Sequence, residues 1–217
     1  PLIAGMSLSG DSKLREELAS KLKGLPFSNR EEEKLLTINM TGVTALVRGT
    51  ANRMEKYGVL YPGEEIADVL IDADITHISN EIPFVEGCVG ARDDSLVFCS
   101  KPEYIELLRH VETDVIELTG NHMNDYGNEW MDYTLDMYDD EGWPYFGGGR
   151  NLEDSYQPAI FEKGPNKIAF LGCNFFGPTY DWATEQSPGS APPNLEGFEG
   201  IISEYNNEGY NVIFTFQ

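Results

Sequence analysis

Residues 114–130 read DVIELTGNHMNDYGNEW: a run of strand formers gives way to Gly120-Asn121-His122, then to Asp125, and then to a pattern with helical spacing. These are residue types that metal and acid–base chemistry use. The amide oxygen of Asn121 can ligate a hard or borderline metal ion. The imidazole of His122 can bind metal, or donate a proton to a leaving group or a developing oxyanion. Asp125 can orient that imidazole or cap the following helix. The alternative is an Asn/Asp-rich turn capped by Asp125, with His122 a satisfied surface residue.

A second polar turn has the same form. In ADITHISNEIPF (73–84) an apolar strand ends at Asn80 and Glu81. Two parallel strands that each end in an amide and an ionisable group can aim four ligands at one point, Glu81 as the charged one and Asn80 as a neutral oxygen. His77 shares the parity of Ser79 and Glu81 and reads as a structural residue. In FGGGRN (146–151), Gly147, Gly148 and Gly149 allow a backbone path that presents N–H groups to an anion, and Arg150 adds a cation in an acidic region. Together Gly148, Gly149 and Arg150 form a candidate substrate-binding element for an anion. A flexible turn is the alternative.

These turns need strands and helices to place them. Strands are expected at 35–40, in 74–84 ahead of a polar turn, at 114–120 and at 211–217, with short strands or turns at 144–149, 157–163 and 166–172. Helical spacing marks 50–56, 64–70, 101–111, 129–142 and 195–209, with Gly142 as a C-terminal stop. In 129–142, Trp130, Thr134, Tyr138, Met131 and Leu135 form a core stripe. Asp132, Asp136 and Asp140 repeat at i, i+4 and repel by roughly 0.2–0.5 kcal/mol per pair, as a solvated face or one that sees counterions. The alternation is an α/β order, in which ligands bind at the carboxyl ends of strands beside helix N-termini. An amphipathic helix with Leu14, Leu18 and Leu22 on one face precedes all this. Residues 1–34 therefore read as a helical appendage or the tail of a preceding region, and 35–217 as the main domain. The chain begins at Pro1 and stops at Gln217 inside an apolar strand, so a piece of a longer protein is expected.

Composition narrows the function classes. Fifteen Lys and Arg against 37 Asp and Glu give a formal charge of -22 over 217 residues. Such a surface repels phosphate backbones and anionic lipid, which excludes nucleic acid as a partner. Hydrophobic residues make up 41% and aromatics 12%, enough for a packed core. No apolar run approaches the ~20 residues that span a bilayer. The three cysteines, Cys88, Cys99 and Cys173, form no CxxC pair. Cys88 and Cys99 flank a polar excursion and are either a disulfide or two buried thiols; Cys173 reads as core.

TGVTALVRG (41–49), ADITHISNEIPF, LTGNHMNDYG (118–127), YFGGGRN (145–151) and NKIAFLG (166–172) follow one another at a familiar spacing. Together they resemble the CapA-type capsule-synthesis family, associated with bacterial poly-γ-glutamate production and similar to the calcineurin-like metallophosphatases. The resemblance covers about 35–217. It implies an α/β, metallophosphatase-like layered sandwich of two mixed β-sheets flanked by helices, incomplete in this chain. It implies a divalent metal (Mn, Fe or Zn) with Asn121, Asn80 and Glu81 as ligands, His122 as the catalytic imidazole and Asp125 as its support. It further implies a phosphoester or anionic polymer as substrate, membrane-associated capsule machinery as partner, and a cell-surface or extracellular location. Two departures stand out. Val43 takes the place of the family's strand-end Asp, and the family's next His-containing turn lies past Gln217, so the metal site is expected to be incomplete. A metal-dependent hydrolase or transferase and a non-catalytic surface relative that binds a polymer or partner subunit are the two readings.

Overall fold

The computed structural model describes residues 34–89 and 96–217. The chain divides at Leu35, and the strands and helices of the site belong to the second unit, Leu36–Gln217. The amphipathic helix expected near the N-terminus lies outside the described residues.

Four parallel strands form the first sheet in the order β1 (Ile38–Thr44), β2 (Ile75–Asn80), β3 (Val115–Glu117) and β4 (Tyr145–Phe146). Every residue of β2 is buried, which suits a strand covered on both faces. A second sheet pairs β6 (Ala159–Lys163) antiparallel with β7 (Asn166–Cys173), and β7 parallel with β9 (Asn211–Phe216). Between them runs a short ribbon of β5 (Gly148–Gly149) and β8 (Gly189–Ser190). The helices are α1 (Arg48–Tyr57), α2 (Ala67–Ile71), α3 (Ile105–His110), α4 (Asn128–Glu141), α5 (Leu152–Ser155) and α6 (Leu195–Asn207). This open two-sheet α/β sandwich is consistent with a metallophosphatase-like fold.

Strand parity decides which core each residue enters. Ile78, Ile116 and Leu118 face the helices and pack with Met54, Leu108, Met131, Leu135 and Tyr138. Ile75, Val115 and Phe146 point the other way, onto Ile168 and Phe170 of the second sheet. Each such buried side chain contributes about 1.5–3 kcal/mol. Helix α4 ends where expected, at Gly142 in the left-handed conformation (φ 72°).

The differences from the sequence reading have local causes. The first strand begins three residues later than expected and runs on to Thr44, because its pairing with β2 resumes after a bulge between Met40 and Val43. There the Thr41 hydroxyl accepts the Ser79 N–H at 3.3 Å. The segment expected as one helix from Lys101 opens with a 3-10 turn, Pro102–Tyr104, before α3. Cys88 and Cys99 are joined as a disulfide, and Cys173 is a buried thiol.

Between the two sheets sits a polar group. His77, fully buried, holds its Nε2 2.9 Å from Glu117 Oε2, and Thr119 donates to Glu117 Oε1 at 2.5 Å. Burial pushes the Glu117 carboxyl up, but the bonds from His77 and Thr119 outweigh it and hold the group below its ordinary value. Gly172 lets β7 and β9 close on this layer, since a Cβ there would lie 2.7 Å from both Thr119 Cγ2 and Thr215 Oγ1. Gly172→Ala is therefore expected to lower stability by about 1–3 kcal/mol, read as a lower thermal midpoint; an unchanged midpoint would mean that the sheets are not this closely apposed.

Candidate functional site

The turn after β3 is fixed from three directions. The Gly120 carbonyl accepts from Ser190 Oγ at 2.7 Å and from Asn174 Nδ2 at 3.1 Å, both from fully buried side chains. A Cβ on Gly120 would lie 2.7 Å from Glu81 Cα, so only glycine lets this turn close on the end of β2. That approach brings Glu81 and Asn121 together. Gln217, just past β9, donates from Nε2 to Glu81 Oε1 at 2.6 Å and to Asn121 Oδ1 at 2.8 Å. Three strand ends therefore meet at one point.

Beside them lies the pair that the sequence singled out. His122 Nδ1 is 2.7 Å from Asp125 Oδ2. The same oxygen accepts the Phe98 N–H at 2.7 Å, and the Tyr180 hydroxyl donates to Oδ1 at 3.4 Å. The Asp125 side chain is 1% exposed, whereas that of His122 is 19% exposed. The Phe98 ring packs on the imidazole with centroids 4.5 Å apart. Burial pulls the His122 pKa down. The hydrogen bond and charge of Asp125, with the charges of Glu81 and Asp181, pull harder and set it above its usual 6.5.

Asp181 is the residue that sequence reasoning missed. It is fully buried, its Oδ1 accepts the Asn124 N–H at 2.8 Å, and its Oδ2 has no hydrogen-bond partner among the described residues. Burial first, then the charges of Asp125 and Glu81, push its pKa up to about 6 against the opposing effects of the Asn124 N–H and His122. Asn124 clamps the same loop, its Nδ2 donating to the carbonyls of Tyr180 (3.2 Å) and Pro188 (3.1 Å). The segment 175–190 carries no strand or helix period, and nothing local to it marks Asp181.

Other expected site residues lie elsewhere. Asn80 has the parity of Ile78 and turns to the helix side of the sheet, where its Nδ2 donates to the Tyr138 hydroxyl and the Ile82 carbonyl. Asn80 therefore does not join Glu81 and Asn121. Gly148 and Gly149 are consumed by the β5–β8 ladder. The anion that the glycine turn receives is the chain's own: the Arg150 N–H donates to Asp154 Oδ2 at 2.7 Å. The Arg150 guanidinium bonds Asp136 (2.7 Å) and Asp139 (2.5 Å) and lies 3.7 Å from Asp132. It is the counterion of the acidic face of α4 rather than a cation offered to substrate, and it offsets the repulsion expected there.

The donors present can be tested against the metal that the resemblance implies. Glu81 and Asn121 are both engaged by the Gln217 amide, Asn80 points away, and Val43 sits 57% exposed on the edge strand β1. Among the described residues, no group of three His, Cys, Asp or Glu side chains is arranged to hold a metal ion. This donor set does not fit a two-metal centre, which needs a full complement of ligands around both ions.

A family model described as "Bacterial capsule synthesis protein PGA_cap" matches residues 37–207. The capsule biosynthesis protein CapA of Bacillus anthracis is 25% identical over 197 residues, which cover 89% of this chain and 46% of that relative. The chain thus spans about half the length of the curated relative it matches.

Asp181 generates a prediction. Because its pKa is raised from 3.8 to about 6 in the folded protein, its ionised form costs stability above about pH 6. That cost, roughly 3 kcal/mol at most, fades as pH falls toward 3.8. Asp181→Asn keeps the Oδ1 acceptor for Asn124, so it is expected to raise the thermal midpoint near pH 8 and to match the wild type near pH 4. A variant less stable at the higher pH would contradict this electrostatic assignment.

Proposed function

That the chain belongs to the bacterial capsule synthesis protein family is the premise from which we propose its role: it acts in capsule or poly-γ-glutamate biosynthesis, with His122 and Asp125 performing acid–base chemistry on a γ-glutamyl amide or phosphoester bond. The family fits a cell-envelope role, as does the Cys88–Cys99 disulfide, because such bonds persist in oxidising compartments. Among the described residues, no helix is long and apolar enough to cross a membrane.

The observation that carries this reading is the His122–Asp125 pair itself. Asp125 holds Nδ1, and Nε2 makes no hydrogen bond among the described residues, so the ring has one nitrogen anchored and one available. The raised pKa keeps the imidazole protonated to higher pH than usual. A protonated His122 can hand its Nε2 proton to a departing amine or oxygen, while Asp125 balances the charge on the ring. This competence is present below the raised pKa and is lost as pH rises through it.

The second reading, a non-catalytic envelope protein that binds an anionic polymer or a partner subunit through the same cleft, is favoured by the donor set that falls short of a metal centre. One experiment separates the two. On the acid–base reading, His122→Ala lowers turnover of poly-γ-glutamate or an aryl phosphoester by about 10²-fold or more and leaves the thermal midpoint nearly unchanged. Wild-type protein that turns over neither substrate, yet retains poly-γ-glutamate in equilibrium dialysis, would support the binding reading instead.

A further inference from the structure

The disulfide lies one residue from the site's support. Cys88 and Cys99 are buried with Val85 against Trp130. Phe98, the neighbour of Cys99, makes two separate contacts with the candidate acid–base pair. Its N–H donates to Asp125 Oδ2 at 2.7 Å, the same oxygen that holds His122 Nδ1. Its ring rests on the imidazole, with centroids 4.5 Å apart.

Phe98 is held on its ring by the Arg48 guanidinium, 4.7 Å from the ring centroid, and along its backbone by what anchors the residues that follow it. Backbone pairing anchors Ser100, whose N–H donates to the Pro83 carbonyl at 2.9 Å and whose carbonyl accepts the Val85 N–H at 2.9 Å. The Ser100 hydroxyl adds a bond to the Leu46 carbonyl at 3.2 Å. Phe98 itself is half-buried. The crosslink at Cys99 carries that anchor to within one residue of Phe98.

We propose that the Cys88–Cys99 disulfide is a positioning device for His122 and Asp125, acting through Phe98, so that a reductant weakens the site while the domain stays folded. The proposal rests on the acid–base reading of that pair. The chemistry is thiol–disulfide exchange with a dithiol. One thiolate attacks a cysteine sulfur, the second thiol resolves the mixed disulfide, and two electrons and two protons pass to Cys88 and Cys99 as the dithiol is oxidised. Freed from Cys88, the segment through Phe98 no longer holds the ring and the N–H in register with the turn. Displacements of this kind change rates because acid–base groups work only at near-attack geometry. Phe98 is a positioning residue, and it touches the pair rather than the substrate.

The test uses the full chain, oxidised, dithiol-reduced, and as the variants Cys88→Ala/Cys99→Ala and Phe98→Leu. The first readout is the proton NMR signal of the His122 ring, assigned by its loss in His122→Gln and shifted by the Phe98 ring current. The second is turnover. Reduction is expected to move the His122 signal to the position it takes in Phe98→Leu and to lower turnover roughly tenfold or more, with the far-ultraviolet circular dichroism unchanged. Reoxidation restores both. An unmoved His122 signal in protein shown by thiol titration to be reduced overturns the proposal, as does turnover unaffected by both reduction and Phe98→Leu. Should reduction unfold the protein, Phe98→Leu with the bridge intact decides: wild-type turnover overturns the proposal and a matching loss supports it. Oxidised protein with no turnover at all would defeat the acid–base reading, while the NMR signal would still report whether the bridge positions the ring.

Discussion

Two buried donors on different segments, Asn174 at the end of β7 and Ser190 in β8, converge on the carbonyl oxygen of Gly120. That carbonyl is the hinge of the arrangement. It ties the first sheet to the second sheet and to the ribbon between them, and the missing side chain at Gly120 lets Glu81 come close. Net hydrogen bonds of this type are worth only about 1 kcal/mol each, but leaving these buried donors unpaired would cost more. The turn therefore has one low-energy position. Asn121, His122 and Asp125 inherit that position, which is why an exposed-looking Asn/Asp-rich turn is rigid enough to be a site.

Electrostatics then sets its character. In a chain of formal charge -22, the cluster joins one imidazole to the carboxylates of Asp125, Asp181 and Glu81. The same negative field raises His122 and, with burial, raises Asp181. Protons are thus retained at both groups to higher pH than their ordinary values allow. Arg150, which composition suggested as the cation for an anionic substrate, is spent on the acidic face of α4.

Much of this was legible in the sequence because it is local. The GNHMND turn announces itself by a strand period that stops at glycine, and α4 by its apolar stripe and its closing Gly142. The rule that grouped His77, Ser79 and Glu81 on one face also puts Asn80 with Ile78, and the structure follows it to the Tyr138 hydroxyl. Reading Asn80 as a partner of Glu81 ignored that parity. Asp181, Phe98 and Gln217 were not legible, because each reaches the site across 27 to 136 residues through contacts that leave no periodic trace. The Cys88–Cys99 pairing was one of two open alternatives, since spacing does not set how two cysteine side chains are aimed.

Asp125 and its neighbouring carboxylates make His122 an unusually basic imidazole, fit to donate a proton. An NMR titration of the His122 ring in the wild type and in Asp125→Asn tests it without a substrate. The expected result is a midpoint above 6.5 in the wild type that falls in the variant. A wild-type midpoint at or below 6.5, unmoved by Asp125→Asn, would contradict it.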